Sequence, residues 1–197
     1  MPAVQCNETM RIGGQKVSGD AGSLEVFNPY NNEVVGTVPR ASREQVQQTL
    51  QIAKDFKTRL TRYERQQILT KTADLLVSRR DKISDLITAE AGLSKKDSLY
   101  EVGRAFDVFS LASQLCILDD GQIFSCDLTP HGQKRKIFTQ REPLQGVISA
   151  ITPFNHPLNM VAHKIAPSIA TNNRMMPSRP RTSPSASFLF LGLWRCL

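Results

Sequence analysis

The stretch GVISAITPFNHPLNMVAHK, residues 146–164, decides the architecture. Its opening, Gly146-Val147-Ile148-Ser149-Ala150-Ile151, is a short apolar run without alternation, which reads as a strand covered on both faces, as in a parallel sheet. Thr152-Pro153-Phe154-Asn155-His156-Pro157 follows as a tight loop, and apolar residues then recur at helical spacing. Pro157 suits the first helical position, where an amide hydrogen has no partner, whereas Pro167 removes a backbone bond and should kink the helix. Strand, loop and helix open a βαβ unit, so the chain is read as an α/β protein.

Upstream, Leu24–Phe27 and Glu33–Val38 flank the turn cluster Asn28-Pro29-Tyr30-Asn31-Asn32, predicting a hairpin. Residues 1–20 are expected to be flexible. Three capping boxes then announce three helices: Ser42 with Gln45, Thr61 with Glu64, and Ser94 with Asp97. Behind them, Val46, Leu50, Ala53 and Phe56, then Ile68 through Ile87 up to Gly92, then Leu99, Val102, Phe106 and Phe109, form apolar stripes read as core. Lys136–Arg141 reads as a further strand.

Downstream of Met176 the pattern breaks. Pro177, Pro180 and Pro184 interrupt a run of Ser and Arg, a composition unfit for a central strand. Residues 174–197 are therefore set apart as an aberrant tail. It is either disordered or the product of a shifted reading frame, and the second is preferred because it explains a βαβ unit without its second strand.

The chain has 197 residues and a net charge of +7, which invites a nucleic acid partner. The tail, however, holds four arginines and no acid, so residues 1–173 carry 21 basic against 18 acidic groups. Basic runs such as Lys134-Arg135-Lys136 lack interleaved aromatics, so neither nucleic acid nor membrane is expected as a partner. No window approaches the roughly 18 to 20 apolar residues of a membrane span, and the amino terminus lacks the apolar segment of a secretory signal. A cytoplasmic protein is expected. Cys6, Cys116, Cys126 and Cys196 make no CxxC pair, which argues against both a disulfide framework and a metal site, and Cys116 reads as a small buried hydrophobe. No GxGxxG or Walker loop is present, and Gly13-Gly14 precedes no nucleotide-binding helix.

Polar residues concentrate after Ile151, at the carboxyl end of a strand, where open α/β sheets bind ligands. Asn155 is either a neutral donor for a developing oxyanion or a strand terminator and helix cap. His156, Asn159 and His163, at i, i+3 and i+7, share one helical face with Met160 beside them. That face is exposed surface or the wall of a pocket for a polar or anionic substrate; a metal pair is disfavoured because two helical turns separate the imidazoles. Arg104 is either an anion clamp or a surface partner of Asp107.

These residues carry a family resemblance. From FNPYNNEVVGTVPRAS (27–42) through REPLQGVISAITPFNHPLNMVAHKIAPSIATNNRM (141–175), the chain resembles the amino-terminal part of NAD(P)-dependent aldehyde dehydrogenases. The segments EAGLSKKDSLYEVGRAFDVF, DDGQIFSCDLTPHG and the FNHP histidine are most similar to the phosphonoacetaldehyde dehydrogenases of that family. The resemblance implies an incomplete fold: an N-terminal hairpin and helices, the first strand and helix of a Rossmann-like sheet within residues 21–173, and an oligomerisation-type strand near 134–146. It implies a cysteine thiolate attacking the aldehyde, hydride transfer to NAD or NADP, and hydrolysis by glutamate-activated water. Asn155 then matches the oxyanion-stabilising asparagine, and Ile151, Thr152, Pro153 and Phe154 the loop along the dinucleotide. Arg104, His156, Asn159, Met160 and His163 match the substrate entrance, suited to a small anionic aldehyde. A homo-oligomer is implied, and no metal.

The departures are specific. Pro177-Ser178-Arg179-Pro180 stands where the family has its ribose-binding lysine, and the nucleophilic cysteine and general-base glutamate are expected beyond residue 197. The chain is thus expected to be truncated and inactive alone. Alternatives are a non-catalytic partner of a full-length subunit, a fragment acting on lactaldehyde or a semialdehyde, and, ranked last, a basic nucleic-acid-binding protein.

Overall fold

The computed structural model describes residues 6–178 apart from Glu8, Thr58, Asp119, Asp120 and Phe154. The chain opens with β1 (Cys6–Asn7), β2 (Met10–Ile12), β3 (Gln15–Val17), β4 (Ser23–Phe27) and β5 (Val34–Pro39). β2 and β3 pair antiparallel, β4 pairs antiparallel with β5, and β1 lies parallel to β5. Part of the segment expected to be flexible is therefore strand. The cause is Gly13-Gly14, at φ +57° and +81°, the left-handed pair that closes a tight two-residue hairpin. The 24–38 hairpin forms as expected, and Val26, Val35 and Val38 bury a small core of their own.

Helix α1 (Arg43–Asp55) starts at the Ser42–Gln45 box. Gln45 also accepts the Asp20 N–H at 3.1 Å and donates to the Ser18 carbonyl at 2.9 Å, tying the strand segment to the helix. The stripe behind this cap is not core: Val46, Leu50 and Phe56 are each more than a third exposed. Gln45 is the residue α1 buries, and the helix rests on β2 and a late strand instead of the helical core.

The run from Thr61 to Gly92, expected as one helix, is two: α2 (Arg62–Ser78) and α3 (Arg80–Ala91). Arg79, at φ −112° and ψ 15°, breaks the helical course and turns Ile83, Leu86 and Ile87 into the same core as Leu69 and Leu76. α3 ends at Gly92, φ +69°, where a Cβ would come within 2.8 Å of Pro29 Cγ. Only glycine suits that junction. Helix α4 (Lys95–Leu118) follows, with Ser94 accepting the Asp97 N–H at 3.1 Å. Ser98, Val102, Ala105, Phe109, Ala112 and Cys116 form its buried stripe, so Cys116 lies where its reading placed it.

The exposed hairpin β6 (Gln122–Ser125) and β7 (Lys136–Thr139) leads to β8 (Ile148–Ile151), α5 (Asn159–Ala170) and β9 (Met175–Ser178). β8 and β9 pair parallel, Ile148 opposite Met175 and Ile151 opposite Ser178, so the βαβ unit has its second strand after all. The compositional break at Arg174 is not a structural break. Pro177 is tolerated opposite Ala150 because, among the described residues, β9 pairs on one side only, and alternate residues of a parallel strand direct their amides away from that neighbour. β8 is also less covered than its composition suggests: Ala150 is buried, but Ile151 is 68% exposed.

α4 and α5 run side by side in the same direction. Glu101 touches the start of α5 and Cys116 its end, where the thiol lies 3.9 Å from the Ala170 carbonyl. Phe109, Leu158, Val161, Ala162 and Ala166 fill the seam, with Leu69 and Leu76 of α2 closing it from the other side. This seam holds the loop 152–158 in place.

Candidate functional site

The loop from Thr152 to Leu158 leaves the carboxyl end of β8 and enters α5. Thr152 is buried, while Ile151, Pro153 and Asn155 face solvent; Phe154 lies outside the described residues. The first backbone bond of the helical course, from the Met160 N–H to the His156 carbonyl at 3.1 Å, already spans Pro157. Pro157 therefore sits where no amide hydrogen is needed, although the regular helix begins two residues later than expected.

The N-cap residue Leu158 has no side chain that can cap α5. The cap comes from α4: Glu101, 2% exposed, uses Oε1 to accept the amides of Leu158 at 2.8 Å and Asn159 at 3.0 Å. Its other oxygen faces His156 Nδ1 at 3.9 Å. Burial pushes the Glu101 carboxyl above its ordinary value; the two amides, then the charges of His156 and Arg104, pull the other way. His156 of the loop thus lies near a buried carboxylate of α4, the helix that also carries Arg104. Arg104 lies one turn along α4 from Glu101, its guanidinium 6.0 Å from the Tyr100 ring centroid.

The residues read as one helical face separate. Asn159 is fully buried, Met160 half-buried and His163 exposed. At about 100° per residue, His163 lies roughly 40° round from Asn159, past the edge of the arc that the core covers. His163 instead lines a crevice of about 470 Å³ with Ile148, Ser149, Lys164 and Ser168. His156 comes within 3.9 Å of Glu101, Arg104 sits one turn further along the helix that carries Glu101, Asn155 directly precedes His156 in the loop, and Asn159 and His163 point elsewhere. Both carboxamide atoms of Asn159 are buried without a hydrogen-bond partner among the described residues.

Sequence reasoning missed Glu101. The signal was present: it lies in the stripe of Ser98, Val102 and Ala105, where a carboxylate needs a partner to be buried. Among the described residues, no group of three or more His, Cys, Asp or Glu gathers as a metal site, and no helix is long and apolar enough to cross a membrane.

Residues 16–195 match the profile of the "Aldehyde dehydrogenase family". This chain belongs to that family. Its likeness continues to residue 195, past the change in composition at Arg174. The chain is 32% identical over 165 residues to a 3-sulfolactaldehyde dehydrogenase of Priestia aryabhattai, covering 83% of this chain and 34% of the relative. It is 35% identical over 167 residues to a lactaldehyde dehydrogenase of Methanocaldococcus jannaschii, again covering 83% and 34%. It therefore spans about a third of the length of these relatives. Among solved structures, it superimposes with a TM-score of 0.81 and 29% identity on an NADP-dependent glyceraldehyde-3-phosphate dehydrogenase from Bacillus halodurans complexed with NADP, over 97% of this chain and 40% of that one. An NAD-dependent aldehyde dehydrogenase from Sinorhizobium meliloti shares the fold at TM-score 0.84, with 23% identity over 98% and 39%.

Proposed function

We propose that this chain carries the carbonyl-orienting part of an aldehyde dehydrogenase acting on a small anionic aldehyde, phosphonoacetaldehyde by its own motifs. The observation that supports this most is the buried Glu101 carboxylate of α4, which lies 3.9 Å from His156 in the loop that carries Asn155 and one helical turn from Arg104. Asn155 presents a neutral amide donor at the strand's carboxyl end, suited to an aldehyde oxygen as it gains charge. Arg104 supplies a planar, permanently charged fork for phosphonate oxygens. His156, with Nδ1 3.9 Å from Glu101, keeps part of its ring exposed to the entrance.

The family's cofactor is NAD or NADP, which when bound would accept the hydride. Exposed Ile151 and Pro153, at the end of β8 where open sheets receive dinucleotides, fit an apolar ledge under it. Ile151, Thr152, Pro153 and Phe154 are the residues assigned to that contact. Met160, half-buried beside His156, is kept as a wall of the substrate entrance.

A second reading, oxidation of lactaldehyde or sulfolactaldehyde, draws on the names of the relatives. Calorimetric titration of the 197-residue chain with phosphonoacetate, 3-sulfolactate and lactate tests the two. Phosphonoacetate binding at least tenfold tighter than lactate, and lost in Arg104→Met, is the expected result. Lactate binding as tightly, with Arg104→Met unchanged, overturns the phosphonate assignment.

The β6–β7 hairpin is assigned to self-association. Ile123 and Phe138 are 75% and 80% exposed on it, with exposed Ile117 and Leu118 at the nearby end of α4. The expected assembly is a homo-oligomer.

A further inference from the structure

We infer that Glu101 is a positioning residue, which caps α5 from the neighbouring helix and so fixes the loop bearing Asn155 and His156 against Arg104 without touching the substrate. The inference rests on reading those three residues as the substrate site. α5 has no cap of its own: Leu158 at its N-cap position makes no side-chain bond, and an uncapped helix end leaves amide donors without partners. Glu101 satisfies two of them through one oxygen at 2.8 and 3.0 Å, across 57 and 58 residues of sequence. The acceptor is buried at 2% exposure and anchored in the α4 stripe between Ser98 and Ala105, so it moves only if α4 moves. Its second oxygen lies 3.9 Å from His156 Nδ1, within ion-pair range but without a hydrogen bond. Arg104 rides one turn further along the same helix. One carboxylate therefore registers two elements that supply ligands to one site.

Reach and charge can be separated by substitution. Glu101→Gln keeps an acceptor oxygen at the same distance and removes the charge; Glu101→Asp keeps the charge and withdraws the oxygen by one carbon. Amide hydrogen exchange of the full chain without ligand is the readout, at Leu158 and Asn159, with Leu69 and Phe109 reporting the global core. Glu101→Asp is expected to speed exchange at Leu158 and Asn159 by roughly tenfold while Leu69 and Phe109 stay unchanged, and Glu101→Gln by no more than about threefold. Unchanged protection in Glu101→Asp overturns the inference. So does protection lost in Glu101→Gln but kept in Glu101→Asp, and so does equal acceleration at Phe109, which marks a global rather than a local role. Should Glu101→Asp fail to fold, Glu101→Gln decides alone: retained protection supports the inference and lost protection overturns it. A separate titration of the wild-type chain with phosphonoacetate keeps the two readings distinct, because absence of binding removes the substrate assignment and leaves the exchange result standing.

Discussion

Asn159→Leu is expected to stabilise this protein. Asn159 is fully buried, with neither carboxamide atom hydrogen-bonded among the described residues. Leaving such a group unpaired costs about 1–3 kcal/mol. Leucine branches at the same carbon and buries apolar surface in its place, adding roughly 1 kcal/mol by area, while imperfect shape returns up to about 1.5 kcal/mol. The net is a gain of about 0.5–4 kcal/mol, or roughly 1–16 °C in Tm for a chain of this size. The backbone amide of Asn159 still meets Glu101, so the cap of α5 survives the substitution. Urea unfolding followed by far-UV circular dichroism measures the change, with Asn159→Ala as the control that removes the amide without refilling the space. A loss of more than about 1 kcal/mol in Asn159→Leu would show that the carboxamide is satisfied in the folded protein and belongs to a polar site.

Other outcomes follow from the same contacts. Arg62 donates to the Cys116 carbonyl at 2.7 Å and to that of Ile117, covering the end of α4; Arg62→Ala should lower stability by about 1–3 kcal/mol in urea unfolding. Glu101 and Glu64 should give pH dependences of opposite sign. Burial raises the Glu101 carboxyl above 4.5, so stability present below that value is lost as pH rises through the folded value, and Glu101→Gln flattens this arm. Bonds from Thr61 lower the Glu64 carboxyl below 4.5, so its contribution is present above that value and is lost as pH falls through the folded one; Glu64→Gln removes that acid arm of the melting profile. Phe138→Lys should weaken self-association by more than about tenfold, since burying such a ring is worth roughly 1.5–3 kcal/mol, measured by sedimentation velocity. Finally, Cys116 lies at the far end of α5 from Asn155, about 18 Å along a helix of 12 residues, so Cys116→Ser should change no aldehyde chemistry at Asn155. Any NADH formed by the chain from phosphonoacetaldehyde and lost in Cys116→Ser contradicts this placement.

Features whose chemistry is local were legible in the sequence. The Ser42–Gln45 and Thr61–Glu64 boxes and the Ser94 cap form at the named residues, because each pairs groups three positions apart. The strand-loop-helix at 146–170 was equally plain. Features fixed by distant partners were not. Arg79 breaks a helix because the segment beyond it must return to α4, which no periodicity near Arg79 announces. Gly13-Gly14 carries a left-handed geometry that closes a hairpin, which its local sequence does not distinguish from a glycine-rich loop. The shared face of His156, Asn159 and His163 failed because exposure depends on where α4 lies, and spacing along α5 carries no information on that. Glu101 meets its partners across more than fifty residues, so its own segment showed only an acid in an apolar stripe. Pro177 would break a central strand, but β9 pairs with β8 alone among the described residues, a placement the sequence does not announce.

The most direct test of the substrate assignment is to map phosphonoacetate on the isotope-labelled chain by nuclear magnetic resonance. Shifts are expected at the Arg104 guanidinium, the Asn155 amide and the His156 ring, with His163 and its crevice silent. Shifts confined to His163 and Lys164, or none at any of these groups, would contradict the proposed site.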